Sequence, residues 1–137
     1  MRSIYFRNAF VSISYDDELR VGMAVWQGNV KGAEFRGAVL LCLHLMDQFR
    51  LTGWLADDRK MKAIDPADAQ WSNEFFLPRV LSSPIVRLAR LPSDCPENCQ
   101  TIELMKEKRK GYTSLLTIRD FAIEEEAMAW LAVPDQD

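Results

Sequence analysis

The chain has 137 residues, of which 48% are hydrophobic and 27% charged, and its formal net charge is −3. This length and balance fit one globular domain with a real core, residues 1–137, and argue against a disordered protein. The mild acidity argues against binding of bulk nucleic acid, because phosphate contacts need clustered lysine and arginine.

No segment has the character of a targeting signal or a membrane span. The N-terminus lacks the apolar centre of a signal peptide. The most apolar stretch, Ala38–Met46, has about half of the roughly 20 residues that cross a bilayer. We therefore expect a soluble, cytoplasmic protein.

Three cysteines do not make a disulfide framework. Cys42 lies in an apolar helical pattern and is expected in the core. Cys95 and Cys99 form one pair without further ligands nearby in sequence, whereas a zinc site needs about four. The sequence therefore predicts no metal and no cofactor.

The first half of the chain begins with a loose arm, residues 1–8. Two alternating runs, Phe10–Tyr15 and Leu19–Trp26, follow and predict an antiparallel hairpin. Ala33–Arg50 is the clearest helix, because its apolar residues recur at helical spacing over a wide sector. Gly37 lowers helix propensity there, which suggests a close backbone approach.

The centre of the chain predicts a buried strand, Thr52–Asp57, in the middle of the sheet. A strand that follows a strand and a helix is typically parallel to a neighbour inside the sheet. Residues 58–62 are predicted as a loop at its carboxyl end. Asp65 and Pro66 then have the residue types that begin a helix, and this helix reaches Leu81 with an end or a kink at Pro78.

The last part alternates strands and helices again. Strands are predicted at Pro84–Leu91 and Ser114–Arg119, and helices at Cys99–Gly111 and Asp120–Leu131. Residues 133–137 are a frayed tail. The order β-β-α-β-α-β-α-β-α predicts an α/β domain with a mixed sheet of about five strands and helices mainly on one side.

Several runs resemble a known family. They are Ala24–Gly28, Trp54–Met61, Asp68–Trp71, Arg87–Ala89 and Ala127–Leu131. Together they are similar to uncharacterised bacterial proteins of the STAS-like group, which resembles the sporulation anti-sigma-factor antagonists and, more distantly, the CRAL-TRIO lipid-binding fold. The resemblance implies a sheet with helices on one side and a role in partner binding rather than catalysis.

The chain departs from the antagonists at their phosphorylation motif. Those members carry a phosphoacceptor serine at the start of the helix after the central strand. The matching positions here are Asp65-Pro-Ala-Asp68, and neither Pro66 nor Ala67 has a hydroxyl. The resemblance therefore implies an interaction module without the usual phosphoacceptor.

The predicted binding surface joins the end of the central strand to the following helix. Ligands of open α/β sheets collect at the carboxyl ends of the strands, and a helix N-terminus attracts anions. The candidate residues combine the charge cluster with the helix start and its aromatic face: Asp57, Asp58, Arg59, Lys60, Asp65, Trp71 and Arg79.

The charge cluster has more than one interpretation. Two adjacent carboxylates could support acid–base chemistry or hold Mg²⁺. Alternatively, Asp57 pairs with Arg59 or Arg90 and the rest is solvated. His44 is the single histidine and is distant in sequence, and no recognised catalytic motif is present. The sequence therefore predicts no catalytic residues.

We predict a non-enzymatic interaction or regulatory module that binds an unknown protein partner. The alternative is a small-molecule or lipid-binding protein, with its pocket between the Ala33–Arg50 helix and the sheet. The surplus apolar surface of this helix is also compatible with a homo-oligomer.

Overall fold

The computed structural model describes residues 2–62, 64–93 and 116–133. Within these residues, six strands form one mixed sheet in which sequence order is also spatial order. They are β1 (Arg2–Arg7), β2 (Val11–Asp16), β3 (Val21–Gly28), β4 (Gly53–Met61), β5 (Arg87–Leu91) and β6 (Thr117–Asp120). The pairs β1–β2 and β2–β3 are antiparallel, and the remaining pairs are parallel. The predicted α/β class and mixed sheet are confirmed, with six strands rather than about five.

The additional strand is β1, so the predicted loose arm at residues 1–8 is wrong for Arg2–Arg7. Asn8 explains the difference, because its Oδ1 accepts hydrogen bonds from the backbone N–H groups of Phe10 at 2.8 Å and Val11 at 2.9 Å. This Asx-type turn reverses the chain and returns the N-terminal residues antiparallel to β2. The predicted hairpin of β2 and β3 is confirmed.

Helices cover both faces of the sheet. Helix α1 spans Gly32–Gln48 and shares one face with the helical segment 66–81. That segment consists of α2 (Pro66–Trp71), a π-helical turn (Ser72–Phe76) and α3 (Leu77–Leu81). Helix α4, Glu124–Ala132, packs on the other face. The predicted helix Cys99–Gly111 lies outside the described residues, as do Cys95 and residues 134–137 of the predicted tail.

The π-helical turn is the local response to Pro78. Proline has no backbone N–H, so the carbonyl of Glu74 cannot receive the usual α-helical hydrogen bond. The chain widens before it, and the N–H of Leu77 donates to the carbonyl of Ser72, five residues back. The predicted kink at Pro78 thus takes the form of a widened turn.

Helix α1 buries most of its apolar surface against the sheet, while Leu40 remains 45% exposed. The suggested close approach at Gly37 is wrong, because a Cβ at this exposed position would meet no atom within 4 Å. Self-association through α1 stays a prediction. Among the helices of the described part, none has the length and apolar character to cross a bilayer.

Asp68 connects the two helical segments on this face. Its buried carboxylate accepts from the backbone N–H of Gly32 at 2.8 Å and from Arg36 Nε at 3.1 Å. Lys31, which precedes α1, makes no side-chain cap. Asp68 therefore replaces the missing cap of α1 from a different helix.

We expect Asp68→Ala to destabilise the protein by about 2–3 kcal/mol, because it removes the buried carboxylate that accepts from the Gly32 N–H and from the charged Arg36 guanidinium. Asp65→Ala is the matched control, since it removes an exposed helix cap and should cost about 1 kcal/mol. Urea denaturation of both variants measures the difference. Equal losses would show that Asp68 is only a local cap.

Candidate functional site

A cavity of about 140 Å³ lies between α1, the helical segment 66–81 and the sheet. Aromatic and aliphatic side chains from all three parts form most of its wall. Those that contribute rings or large aliphatic groups include Trp26, Phe35, Val39, Trp54, Phe76 and Leu77. The site is therefore a largely apolar cavity between the helices and the sheet.

Two charged side chains stand out in this wall, Asp58 of β4 and Arg90 of β5. Arg90 pairs in register with Ala56, which lies two residues before Asp58 on the same side of β4. Arg90 is 7% exposed and Asp58 is 8% exposed. Ionisable side chains are rarely this buried unless they are fully paired.

Arg90 is only partly paired. Its Nη1 lies 3.3 Å from Asp120 Oδ1, close enough for an ion pair but without the alignment of a hydrogen bond. Within the described part of the chain, Arg90 Nε and Nη1 are buried donors that have no hydrogen-bond partner. Leaving a charged donor unsatisfied is costly, so an acceptor that reached Arg90 from the cavity would be stabilising.

Burial raises the pKa of Asp58 to about 6. The positive charge of Arg90 opposes this increase, whereas the negative charges of Asp57 and Asp120 add to it. Asp58 therefore changes its charge near neutral pH, unlike an ordinary aspartate. Strongly perturbed carboxyl groups in cavities are typical of functional sites.

The predicted loop at residues 58–62 is wrong, because β4 continues to Met61. Gln27 and Gly28 at the end of β3 pair with Lys60 and Met61, so β3 supplies ladder partners for these residues. The register shifts between Val25 and Gln27, which accommodates one extra residue in β4. Asp58 thus reaches the cavity from inside the sheet. The central position of Trp54–Asp57 is confirmed.

Asp57 lies on the opposite face from Asp58, as strand alternation requires, and Arg59 pairs with Asp57 away from the cavity. Arg59 donates from Nε to Asp57 Oδ1 at 3.0 Å and from Nη2 to Oδ2 at 2.8 Å. This two-bond pair confirms one of the two partners considered for Asp57. The adjacent carboxylates therefore do not form one acid–base or magnesium site, and Lys60 is exposed.

The remaining predicted residues lie on the segment 66–81 and just before it. Asp65 caps α2 by accepting from the backbone N–H of Ala67 at 2.8 Å, as predicted. Trp71 stacks on Phe75 with ring centroids 5.1 Å apart, and Arg79 lies 4.0 Å above the Phe75 ring. The structure therefore distributes the seven predicted residues among the cavity, the opposite face and this helical surface.

From the sequence, Arg90 is predicted only as a partner for Asp57. The sequence does contain a sign of its role, because Arg90 lies on the same buried side of β5 as Leu88, where an apolar residue is usual. Cys42 is buried in the cavity wall as predicted for a core residue, and burial raises the pKa of its thiol. His44 is exposed and lies 6.4 Å from the Tyr5 ring, outside the cavity.

Over residues 2–62, 64–93 and 116–133, no group of three or more histidine, cysteine or acidic side chains could hold a metal ion. Comparison of the chain with models of known families, with curated proteins and with solved structures found no match. The STAS-like resemblance therefore stays a prediction, and the cavity is the feature from which function can be argued.

Proposed function

We propose that this protein is a non-enzymatic binding protein for a small, largely apolar molecule held between α1, the segment 66–81 and the sheet. The observation that supports this proposal is the cavity of about 140 Å³, which has aromatic walls and two buried charged groups. Small-molecule sites are typically apolar clefts with a few convergent polar groups. This proposal corresponds to the predicted alternative of a pocket beside the long first helix.

The size of the cavity limits the occupant. An engineered apolar cavity of about 150 Å³ in another protein binds benzene. A molecule built on one six-membered ring, or an aliphatic group of similar volume, therefore fits here. A long lipid chain would extend beyond this volume, so we propose a small metabolite rather than a lipid within the predicted alternative.

The proposal is tested by filling the cavity from the sheet side. Ala56 lines the cavity, and Ala56→Leu should reduce binding of toluene and benzamide at least tenfold by occupying their volume. Ligand-observed NMR titration of the purified protein measures this. Ala33→Leu adds the same side chain at an exposed position of α1 and should leave binding unchanged.

Native mass spectrometry provides an independent measurement, because a natural occupant can remain bound through purification. A retained small molecule that Ala56→Leu loses and Ala33→Leu keeps supports the proposal. The proposal fails if none of toluene, benzamide and benzoate binds and no small molecule is retained.

A second candidate is the predicted interaction module, and the stacked surface of segment 66–81 favours it. Arg36 lies 5.2 Å from the Trp71 ring, so Arg36, Trp71, Phe75 and Arg79 form a continuous ladder of guanidinium and aromatic groups. Tryptophan and arginine are enriched among the residues that dominate protein interfaces. Cross-linking with the Trp71→Ala/Arg79→Ala variant tests this, with Arg59→Ala/Lys60→Ala as the comparison from the originally predicted surface.

A further inference from the structure

We infer that the cavity ligand is a small carboxylic acid, bound with its carboxylate against Arg90 and with one proton shared with Asp58. This inference rests on the proposed function, since it assigns the chemical class of the molecule in that cavity. It follows from the donors of Arg90, from the position of Asp58 and from the charges around both.

Arg90 supplies the anion-binding group. Its side chain is 8% exposed, and its Nε and Nη1 make no hydrogen bond within the described part of the chain, although Nη1 lies 3.3 Å from Asp120 Oδ1. A carboxylate is the acceptor that arginine binds most strongly, because both charge and hydrogen bonding favour the pair. The low dielectric of the apolar wall strengthens this attraction.

Asp58 determines the proton balance. Ionised Asp58 would repel a ligand carboxylate in the same cavity, whereas neutral Asp58 can donate a hydrogen bond to it. Binding therefore takes up one proton from solvent, which converts Asp58 to its neutral form. The complex then contains the cation of Arg90 between two carboxylates, those of Asp120 and the ligand, and one proton that the ligand shares with Asp58.

The other ionisable neighbours do not provide this proton. Asp57 and Asp120 are the acidic groups that act on Asp58, and both raise its pKa. From the helical side, the cavity wall contains only one titratable group among the described residues, the thiol of Cys42. Burial raises the pKa of that thiol, so Cys42 remains neutral. Asp58 is therefore the group that titrates within the cavity.

Other ligand classes fit these charges less well. An amine would place a second cation beside Arg90 in an apolar environment, which is unfavourable. A neutral amide or alcohol can bond to Arg90 and Asp58 but lacks the charge attraction. Benzoate and benzamide have the same ring, but only benzoate carries a negative charge, so they form a matched pair of probes.

The experiment is a calorimetric titration of the purified full chain with benzoate and benzamide between about pH 5.5 and about pH 8. If only the form with neutral Asp58 binds benzoate, affinity should fall roughly 50-fold between pH 6 and pH 8, for a pKa of about 6. Proton uptake should appear as a dependence of the binding enthalpy on the buffer. Benzamide binding should change much less with pH.

Two variants separate the roles. Asp58→Asn should remove the pH dependence of benzoate binding and the proton uptake, because its amide stays neutral. Arg90→Gln should weaken benzoate at least tenfold more than benzamide. If Arg90→Gln does not fold, the pH profile of Asp58→Asn decides the question.

The outcomes distinguish this inference from the proposed function. If toluene and benzamide bind but benzoate does not, or if benzoate binds without pH dependence, the ligand is not a carboxylic acid bound in this way. The proposed binding of a small apolar molecule is then still supported. If none of the three probes binds and no molecule is retained on purification, both fail. If benzoate affinity falls steeply with rising pH and Asp58→Asn removes this dependence, the result supports both the inference and the proposed function.

Discussion

Replacing Gly22 with alanine should destabilise the protein by about 3 kcal/mol, at the upper end of the usual cost of overpacking a core. Gly22 of β3 lies beside Trp54 of β4 in the parallel ladder. A Cβ on Gly22 would lie 2.3 Å from Trp54 Cζ3 and 2.8 Å from Leu51 Cδ1. Both neighbours are buried, so the indole ring would have to leave its packed position in the wall of the cavity.

Gly37→Ala is the matched control for this prediction. It adds the same methyl group at an exposed position inside α1, where nothing lies within 4 Å. Alanine should stabilise that helix by about 1 kcal/mol. Urea unfolding monitored by circular dichroism measures both variants. Similar effects of the two substitutions would contradict the close packing of Trp54 over Gly22.

Replacing Asp58 with asparagine should stabilise the protein at neutral pH by about 3 kcal/mol. The folded state raises the pKa of Asp58 from 3.8 to about 6, and each pKa unit corresponds to about 1.4 kcal/mol. Between these two pH values the folded state binds more protons than the unfolded state. The contribution of Asp58 to stability therefore decreases as pH rises through this window.

Urea denaturation at several pH values measures this effect. Asp58→Asn should match the wild type near pH 4 and exceed it progressively up to about pH 7. Asp17→Asn, in the exposed turn after β2, makes the same chemical change and should alter stability little. A constant difference between Asp58→Asn and the wild type across this range would contradict the assigned titration. A stabilising substitution at a binding site commonly reduces function.

The fold was largely predictable because its signals are local. Alternation identified the β2–β3 hairpin, the wide apolar sector identified α1, and the pair Asp65–Pro66 identified the start of α2. These patterns depend only on neighbouring residues. Edge strand β1 was missed because its formation depends on the Asn8 turn and on a partner strand.

The site was harder to predict, because pairing across the whole sheet decides which face each β4 side chain takes and where β4 holds its extra residue. The charges after Trp54 resembled a loop, yet pairing with β3 extended the strand through them. Asp57 and Asp58 then faced opposite sides, and only Asp58 reached the cavity. Arg90 joined it from β5, which no local pattern around Asp58 could indicate.

The π-helical turn at Ser72–Phe76 interrupts the regular α-helical repeat of the segment 66–81, which covers the cavity. Ser72 and Phe76 both line the cavity, while the neighbouring Asn73 has a buried Oδ1 without a hydrogen-bond partner among the described residues. Such a turn holds one residue more than an α-helical turn. Deleting one residue from this turn, such as Asn73, would rotate α2 relative to α3 by about 100°. The shape of the cavity is therefore encoded by the length of this segment as well as by its side chains.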